Sequence, residues 1–201
     1  MCPARDRVCI EFTQGGIGLV EVLVAMLVLA VGLLGLMRMQ LAAKQASFEA
    51  AQRTQATGLA RDMLERIRSN PVQLNAYLVN GLGSSSSPPA AESCVPAVCS
   101  PAQLARHDIH DWYQSMRGAA ASVTVEGITA NAAGFVEPRA CISNDAGHVT
   151  VAIAWRGISS LTTPGDTSAY QGSNCGLGEG AFGDGDRLRR LLVMSTYIGQ
   201  R

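Results

Sequence analysis

Residues 17–37, IGLVEVLVAMLVLAVGLLGLM, form a run of 21 in which Glu21 is the only charged residue. A helix rises 1.5 Å per residue, so about 20 apolar residues span the hydrocarbon of a bilayer, and this run predicts one crossing. A secretory signal would have a shorter apolar stretch followed by a small-residue cleavage site, and none follows Met37. Arg5 and Arg7 lie on the amino side and Arg38 on the other. That bias predicts a cytoplasmic amino end and an exported segment 38–201.

Glu21 is the exception in the run, because a lone carboxylate in hydrocarbon costs about 2.5–3.5 kcal/mol on insertion scales. One reading places it near the interface, where it snorkels or protonates and complements the positive end of the helix dipole. The other gives it a cation in the plane of the membrane. Cutting the chain before Ile17 would create an α-amino group about 6 Å along the helix from Glu21. A staggered neighbouring chain could then pair its amine with this carboxylate.

With 201 residues the chain can hold one domain with a sizeable core and an appendage. Lys+Arg and Asp+Glu are 16 each, with no long basic run, and aromatics make up 5%, so neither charge nor stacking predicts nucleic-acid binding. Of six cysteines, Cys2 and Cys9 precede the apolar run, and Cys94, Cys99, Cys141 and Cys175 follow it. Four distal cysteines suit disulfides in an oxidising compartment, which agrees with export. Zinc is the competing reading, but Cys94 and Cys99 lack a second tight pair to complete a tetrahedral site. Four cysteines allow three pairings, among them Cys94 with Cys99 and Cys141 with Cys175.

No proline occurs between Ile17 and Asn70, so nothing forces the helix to end at the membrane surface. Phe48, Ala51, Leu59, Met63 and Ile67, broken by Gln55 and flanked by Ala56, Ala60 and Leu64, form a stripe of helical period. Arg53, Arg61, Asp62, Glu65, Arg66 and Arg68 occupy the other face, and Asn70 with Pro71 ends the pattern. A helix over 17–70 would be roughly 80 Å long, too long to bury in so small a domain. Its first half must lie in membrane or against other subunits. The second half has a broad, alanine-rich stripe that suits packing on a sheet better than a coiled coil.

The segment 81–89, GLGSSSSPP, is a loop by composition. Ser100 and Pro101 open a helix to about Arg117, with Leu104, Ile109, Trp112 and Met116 on its apolar side. Alternating segments 122–128, 139–143, 148–156 and 190–198 predict four strands of an antiparallel sheet, with Trp155 and Tyr197 in the core or at an interface. The expected organisation is therefore 1–16, a leader if the chain is cut; 17–37, membrane helix; 38–70, amphipathic continuation; and 71–201, an exported globular domain.

The stretch GIGLVEVLVAMLVLAVGLLGL resembles the class III signal of type IV prepilins and pseudopilins. The resemblance implies that a membrane-embedded prepilin peptidase cuts between Gly16 and Ile17 and N-methylates Ile17, and that Glu21 registers incoming subunits. Ile17 stands where phenylalanine or methionine is usual, no basic residue directly precedes the glycines, and the leader carries Asp6 and Glu11. Further on, the Trp112-bearing helix, VAIAWRG at 151–157 and RRLLVMSTYIG at 189–199 are most similar to PilV-type minor pilins.

That resemblance implies an α+β pilin fold, a long N-terminal helix packed on a four-stranded antiparallel sheet. It also implies a carboxy-terminal disulfide loop, closed here by Cys141 and Cys175. The implied function is that of a minor pilin that primes type IV pilus assembly, is incorporated at the tip and supports pilus-dependent motility. Its partners would be other minor pilins and the major pilin through the helix, the prepilin peptidase and the inner membrane, with the domain in the periplasm. A minor pseudopilin of a type II secretion system is the alternative. A single-pass periplasmic domain with an uncleaved anchor is a third reading.

Enzymatic chemistry has little support. His107, Asp108, His110 and Asp111 crowd one helix, but two histidines without a third ligand read as a solvated helix face. No G-x-S-x-G elbow accompanies the serines. The glycine-rich GEGAFGDGD, 178–186, offers Glu179, Asp184 and Asp186 to calcium, but the spacing does not fit the twelve-residue calcium loop, and a solvated turn is the expectation. No catalytic residue, metal site or cofactor is expected.

Overall fold

The computed structural model describes residues 18–83, 86–95, 98–119, 121–131, 133–161 and 173–199. The chain divides after Lys44 into two compact units, and helix α1 (Leu19–Ser69) contributes to both. In the second unit a short 3-10 helix (Pro71–Tyr77) follows α1. Then come β1 (Val79–Leu82), α2 (Pro101–Met116), β2 (Ser122–Val125), β3 (Ile128–Asn131), β4 (Arg139–Asp145), β5 (His148–Arg156) and β6 (Arg189–Tyr197). A four-stranded antiparallel sheet runs in the order β1-β4-β5-β6. With the long helix and two disulfides this is a pilin-like α+β arrangement.

Within this unit α1 buries Gln52, Ala56, Ala60, Met63, Leu64 and Ile67, which fall on one face at helical period. Alanines at 56 and 60 let neighbouring groups come close to the helix backbone. The stripe differs from expectation at its start, where Phe48 and Ala51 are exposed and Gln52 is buried. The amide is accepted inside because Trp155 Nε1 donates to Gln52 Oε1 at 3.2 Å. Asn70 and Pro71 end the helix, as expected.

Helix α2 starts as its sequence predicts. Ser100 Oγ accepts from the Gln103 amide at 3.3 Å, Gln103 Oε1 accepts from the Ser100 amide at 2.9 Å, and Pro101 fills the first turn. Its buried face carries Ile109, Trp112 and Met116, while Leu104 is half-buried. The Trp112 indole donates to the Leu59 carbonyl at 2.8 Å, which ties α2 to α1. Each large apolar side chain buried here contributes about 1.5–3 kcal/mol.

Strand β5 sits between β4 and β6 and is buried on both faces from Val151 to Trp155. Val149, Val151, Ile153 and Trp155 point into the core with the helices. On the other face Ala152 and Ala154 are small, and Cys175 and Phe182, from the segment before β6, are also buried. Trp155 thus lies in the core as expected; Tyr197 does not, being exposed and edge-on to His148 at 5.2 Å.

The four strands of the sheet are not the four expected. Residues Ser122–Val125 pair with Ile128–Asn131 in a separate two-stranded hairpin. Glu126 and Gly127, at φ 51° and 81°, make the tight turn, so the alternating run 122–128 folds back on itself instead of continuing. The fourth place in the main sheet goes to β1, with Val79 opposite Ile142 and Leu82 opposite Ala140. This strand has four residues, an irregular register and a glycine at φ 66°, features that hide it from periodicity.

The polar cluster on α2 departs from a solvated face at Asp108, which is buried. Its carboxylate accepts from Tyr77 Oη at 2.6 Å and from Arg66 Nη1 at 2.9 Å. Asn70 Nδ2 donates to Tyr77 Oη at 3.3 Å and to the Pro101 carbonyl at 2.8 Å. One buried acid thereby joins the end of α1, the 3-10 segment and α2. His107 lies with Nδ1 2.9 Å from the Glu92 carbonyl and Nε2 3.2 Å from Asp111.

Of the three possible pairings, the disulfides are Cys94–Cys99 and Cys141–Cys175, five and 34 residues apart. Loop-closure models assign roughly 2 kcal/mol to the short loop and roughly 4 to the long one.

Burial, and then its hydrogen bond to Asp108, push the Tyr77 phenol well above its ordinary value of 10.0. The folded state therefore resists losing this proton. The contribution is complete below pH 10 and is lost as pH rises from there through the folded value. Tyr77→Phe removes the donor and leaves a buried carboxylate oxygen unpaired, so it should destabilise the domain by about 1–3 kcal/mol at neutral pH. Denaturant titrations of the full chain in detergent at neutral and alkaline pH check both effects, and the gap between wild type and variant should narrow above pH 10.

Candidate functional site

In the first unit, α1 begins after Gly18, whose carbonyl accepts from the Glu21 amide at 2.9 Å and the Val22 amide at 3.3 Å. Glu21 occupies the first turn, where a carboxylate opposes the positive end of the helix dipole. It shares a helix face with Val22, Ala25, Met26 and Leu29. Among the described residues no basic group pairs with it.

Every large apolar residue of this stretch is exposed, from Leu19 at 78% through Leu27 at 65% to Met37 at 63%. These side chains surround the helix on all sides rather than forming one stripe. A helix apolar all round requires cover from lipid or other protein. By length and composition it can cross a membrane. Gly32 and Gly35 have open space where a side chain would stand, so no contact within the described residues requires glycine there. Gly16 and Ile17 lie outside the described residues, as do the remainder of the expected leader, Cys2 and Cys9.

The three carboxylates weighed for calcium have protein partners or face outward. Glu179 Oε2 accepts from Arg139 Nε at 2.7 Å, Asp186 Oδ2 accepts from the Gly178 amide at 2.7 Å, and Asp184 is exposed. Asp186 and Glu179 also lie near Arg189, a buried guanidinium that donates through Nε to the Cys175 carbonyl at 3.0 Å. Burial lowers the Arg189 pKa, and these two acids act against that shift. The glycine-rich segment is thus a structural turn. Among the described residues no group of three or more His, Cys, Asp or Glu side chains is placed to hold a metal ion.

One polar cluster carries no local sequence signal. Arg190 on β6 stands opposite Trp155 on β5, and its Nη2 donates to Glu49 Oε1 on α1 at 2.8 Å. Burial raises the Glu49 pKa, but hydrogen bonds from Ser159 and Arg190 outweigh it and hold the carboxyl below its ordinary value. The three residues are 31 to 141 positions apart in pairs that only the fold brings together.

The family described as "Tt1218-like: Type IV pilin Tt1218" matches residues 38–110, about a third of the chain. The matched segment starts at Arg38, immediately after the apolar run, so the similarity does not rest on the composition of that run. It covers the amphipathic half of α1, β1 and most of α2. No curated protein and no solved structure matches the chain significantly. The similarity supports a pilin role.

Leu27 lies near the middle of the apolar stretch and is exposed. Leu27→Arg should cost about 2.5–3.5 kcal/mol of insertion. Alkaline carbonate extraction of membranes checks this, with the variant shifting into the extractable fraction and wild type staying in the pellet.

Proposed function

We propose that the chain is a minor pilin that primes type IV pilus assembly and enters the fibre, at its tip. The observation that carries the reading is a single helix with two surfaces: uncovered and apolar around Glu21, then packed into a pilin-like domain. The similarity of residues 38–110 to a type IV pilin adds support from outside the apolar run.

On this reading, prepilin peptidase removes residues 1–16 and methylates the amine of Ile17. The precursor waits in the inner membrane with residues 38–201 in the periplasm. It then joins other minor pilins and the major pilin through the apolar half of α1. Glu21 sets the register: in hydrocarbon an unpaired carboxylate costs about 2.5–3.5 kcal/mol, so the stagger that places a neighbour's terminal amine beside it is favoured. The ion pair works chiefly by penalising every other stagger, in the manner of a polar group buried at one position of a helical interface.

Glu21→Ala should leave the protein folded and in the membrane while lowering its amount in sheared pili by about tenfold or more, each factor of ten reflecting 1.4 kcal/mol of lost pairing. Quantitative immunoblots of the pilus and membrane fractions read this directly. Wild-type incorporation of the variant would contradict the registering role.

A further inference from the structure

A cleft of about 770 Å³ opens between the end of α2, strand β3 and the chain leading into β4, with Gly83, Tyr113, Arg117, Thr129, Asn131 and Glu137 in its wall. We propose that this cleft binds a sugar bearing a carboxylate, whose acid meets Arg117 and whose hydroxyls meet Tyr113, Asn131 and Glu137.

The Tyr113 hydroxyl is the centre of the site. The side chain is only 8% exposed, yet Oη has no hydrogen-bond partner among the described residues, although a buried tyrosine usually finds one. Arg190 Nη1 is the unpartnered side-chain atom closed off from solvent among those residues, so Tyr113 Oη remains open. Gly83, at φ 97°, stands beside it in the wall: a β-carbon there would lie 3.0 Å from Oη. Burial fixes the ring, and the Arg117 guanidinium lies over it, 5.9 Å from the centroid. The phenol thus presents a donor and an acceptor at a set position.

The hairpin keeps the facing wall polar. Cross-strand partners share a face, so Ser122, Thr124, Thr129 and Asn131 lie on one side and Val123, Val125 and Ile128 on the other. Thr129 and Asn131 line the cleft, while the two valines and the isoleucine are exposed. A hairpin that served only to close over the domain would turn its apolar side inward. Here a hydroxyl and an amide face the space instead, with Thr129 Oγ1 2.9 Å from Thr124 Oγ1.

Charge selects the acid. Glu137 Oε2 accepts from Arg139 Nη2 at 3.1 Å, and Arg139 Nε donates to Glu179 at 2.7 Å. Arg117 has no ion-pair partner among the described residues, and its planar fork suits a carboxylate. Glu137 in the same wall opposes a polyanion but accepts from hydroxyls. The volume lies within the range of small-ligand sites, about 300–1,000 Å³.

The test uses the full chain in a phosphocholine detergent, which has no sugar headgroup to compete. Methyl glucuronoside, methyl glucoside, acetate and triglycine are titrated separately at constant ionic strength. Saturation-transfer NMR follows the ligands, and side-chain Nε–H signals of ¹⁵N-arginine follow the protein. The expected result is saturable binding of the glucuronoside with a shift at Arg117, and at least fivefold weaker binding of the glucoside and of acetate. Tyr113→Phe should weaken the glucuronoside about fivefold, as for one hydrogen bond, and leave the thermal midpoint unchanged because Oη has no partner in the protein. The proposal is overturned if the glucuronoside does not saturate, if the glucoside, acetate or triglycine binds as tightly, or if Tyr113→Phe binds as wild type. A lowered midpoint in Tyr113→Phe would also overturn it, because the hydroxyl would then already be paired. None of these outcomes depends on pilus assembly.

Discussion

A helix that is apolar on every side needs cover all round, from lipid or from protein. From Leu19 to Met37 large side chains point outward all round, and the described part of the chain covers none of them. Lipid or other protein must cover them, and in hydrocarbon a lone carboxylate such as Glu21 is costly. In the proposed assembly that cost makes one residue in a 21-residue run a positional signal. There, any stagger of neighbouring helices that misses the terminal amine leaves a buried charge unpaired.

The same helix faces a different solvent once past Lys44. Between Gln52 and Ile67 it presents its buried stripe to α2 and the sheet, while Arg53, Arg61, Asp62 and Glu65 stay exposed and Arg66 is half-buried. Polar contacts tie it to the domain along its length: Glu49 with Ser159 and Arg190, Gln52 with Trp155, Gln55 with the Ala133 carbonyl, the Leu59 carbonyl with Trp112, Arg66 with Asp108 and Arg68 with Thr196. Spread along the helix, these bonds fix its rotation against the domain, which apolar contacts with alanine would leave loosely defined.

Local chemistry made much of this fold legible in sequence. The apolar run, the Ser100 cap with its proline, the helix stop at Asn70 and Pro71, and the alternation in β5 and β6 each follow from interactions within a few residues. What escaped depends on distant partners. β1 is a strand because β4 offers an edge to it, and its four residues carry no period of their own. The run 122–128 alternates like one strand but turns at Glu126 and Gly127. Asp108 looks like a surface acid until Tyr77 and Arg66 close over it. Glu21 could be singled out by its apolar surroundings alone, whereas the Glu49, Ser159 and Arg190 cluster had no signal short of the fold.

The central claim is that Glu21 is matched to an α-amino group made by cutting the chain before Ile17. Mass spectrometry of the amino terminus of the membrane-extracted protein tests it most directly. The account predicts an N-methylated Ile17 as the first residue. A chain that still carries residues before Gly16, from a cell that processes its other pilins, would contradict it, because Glu21 would then have no terminal amine to meet.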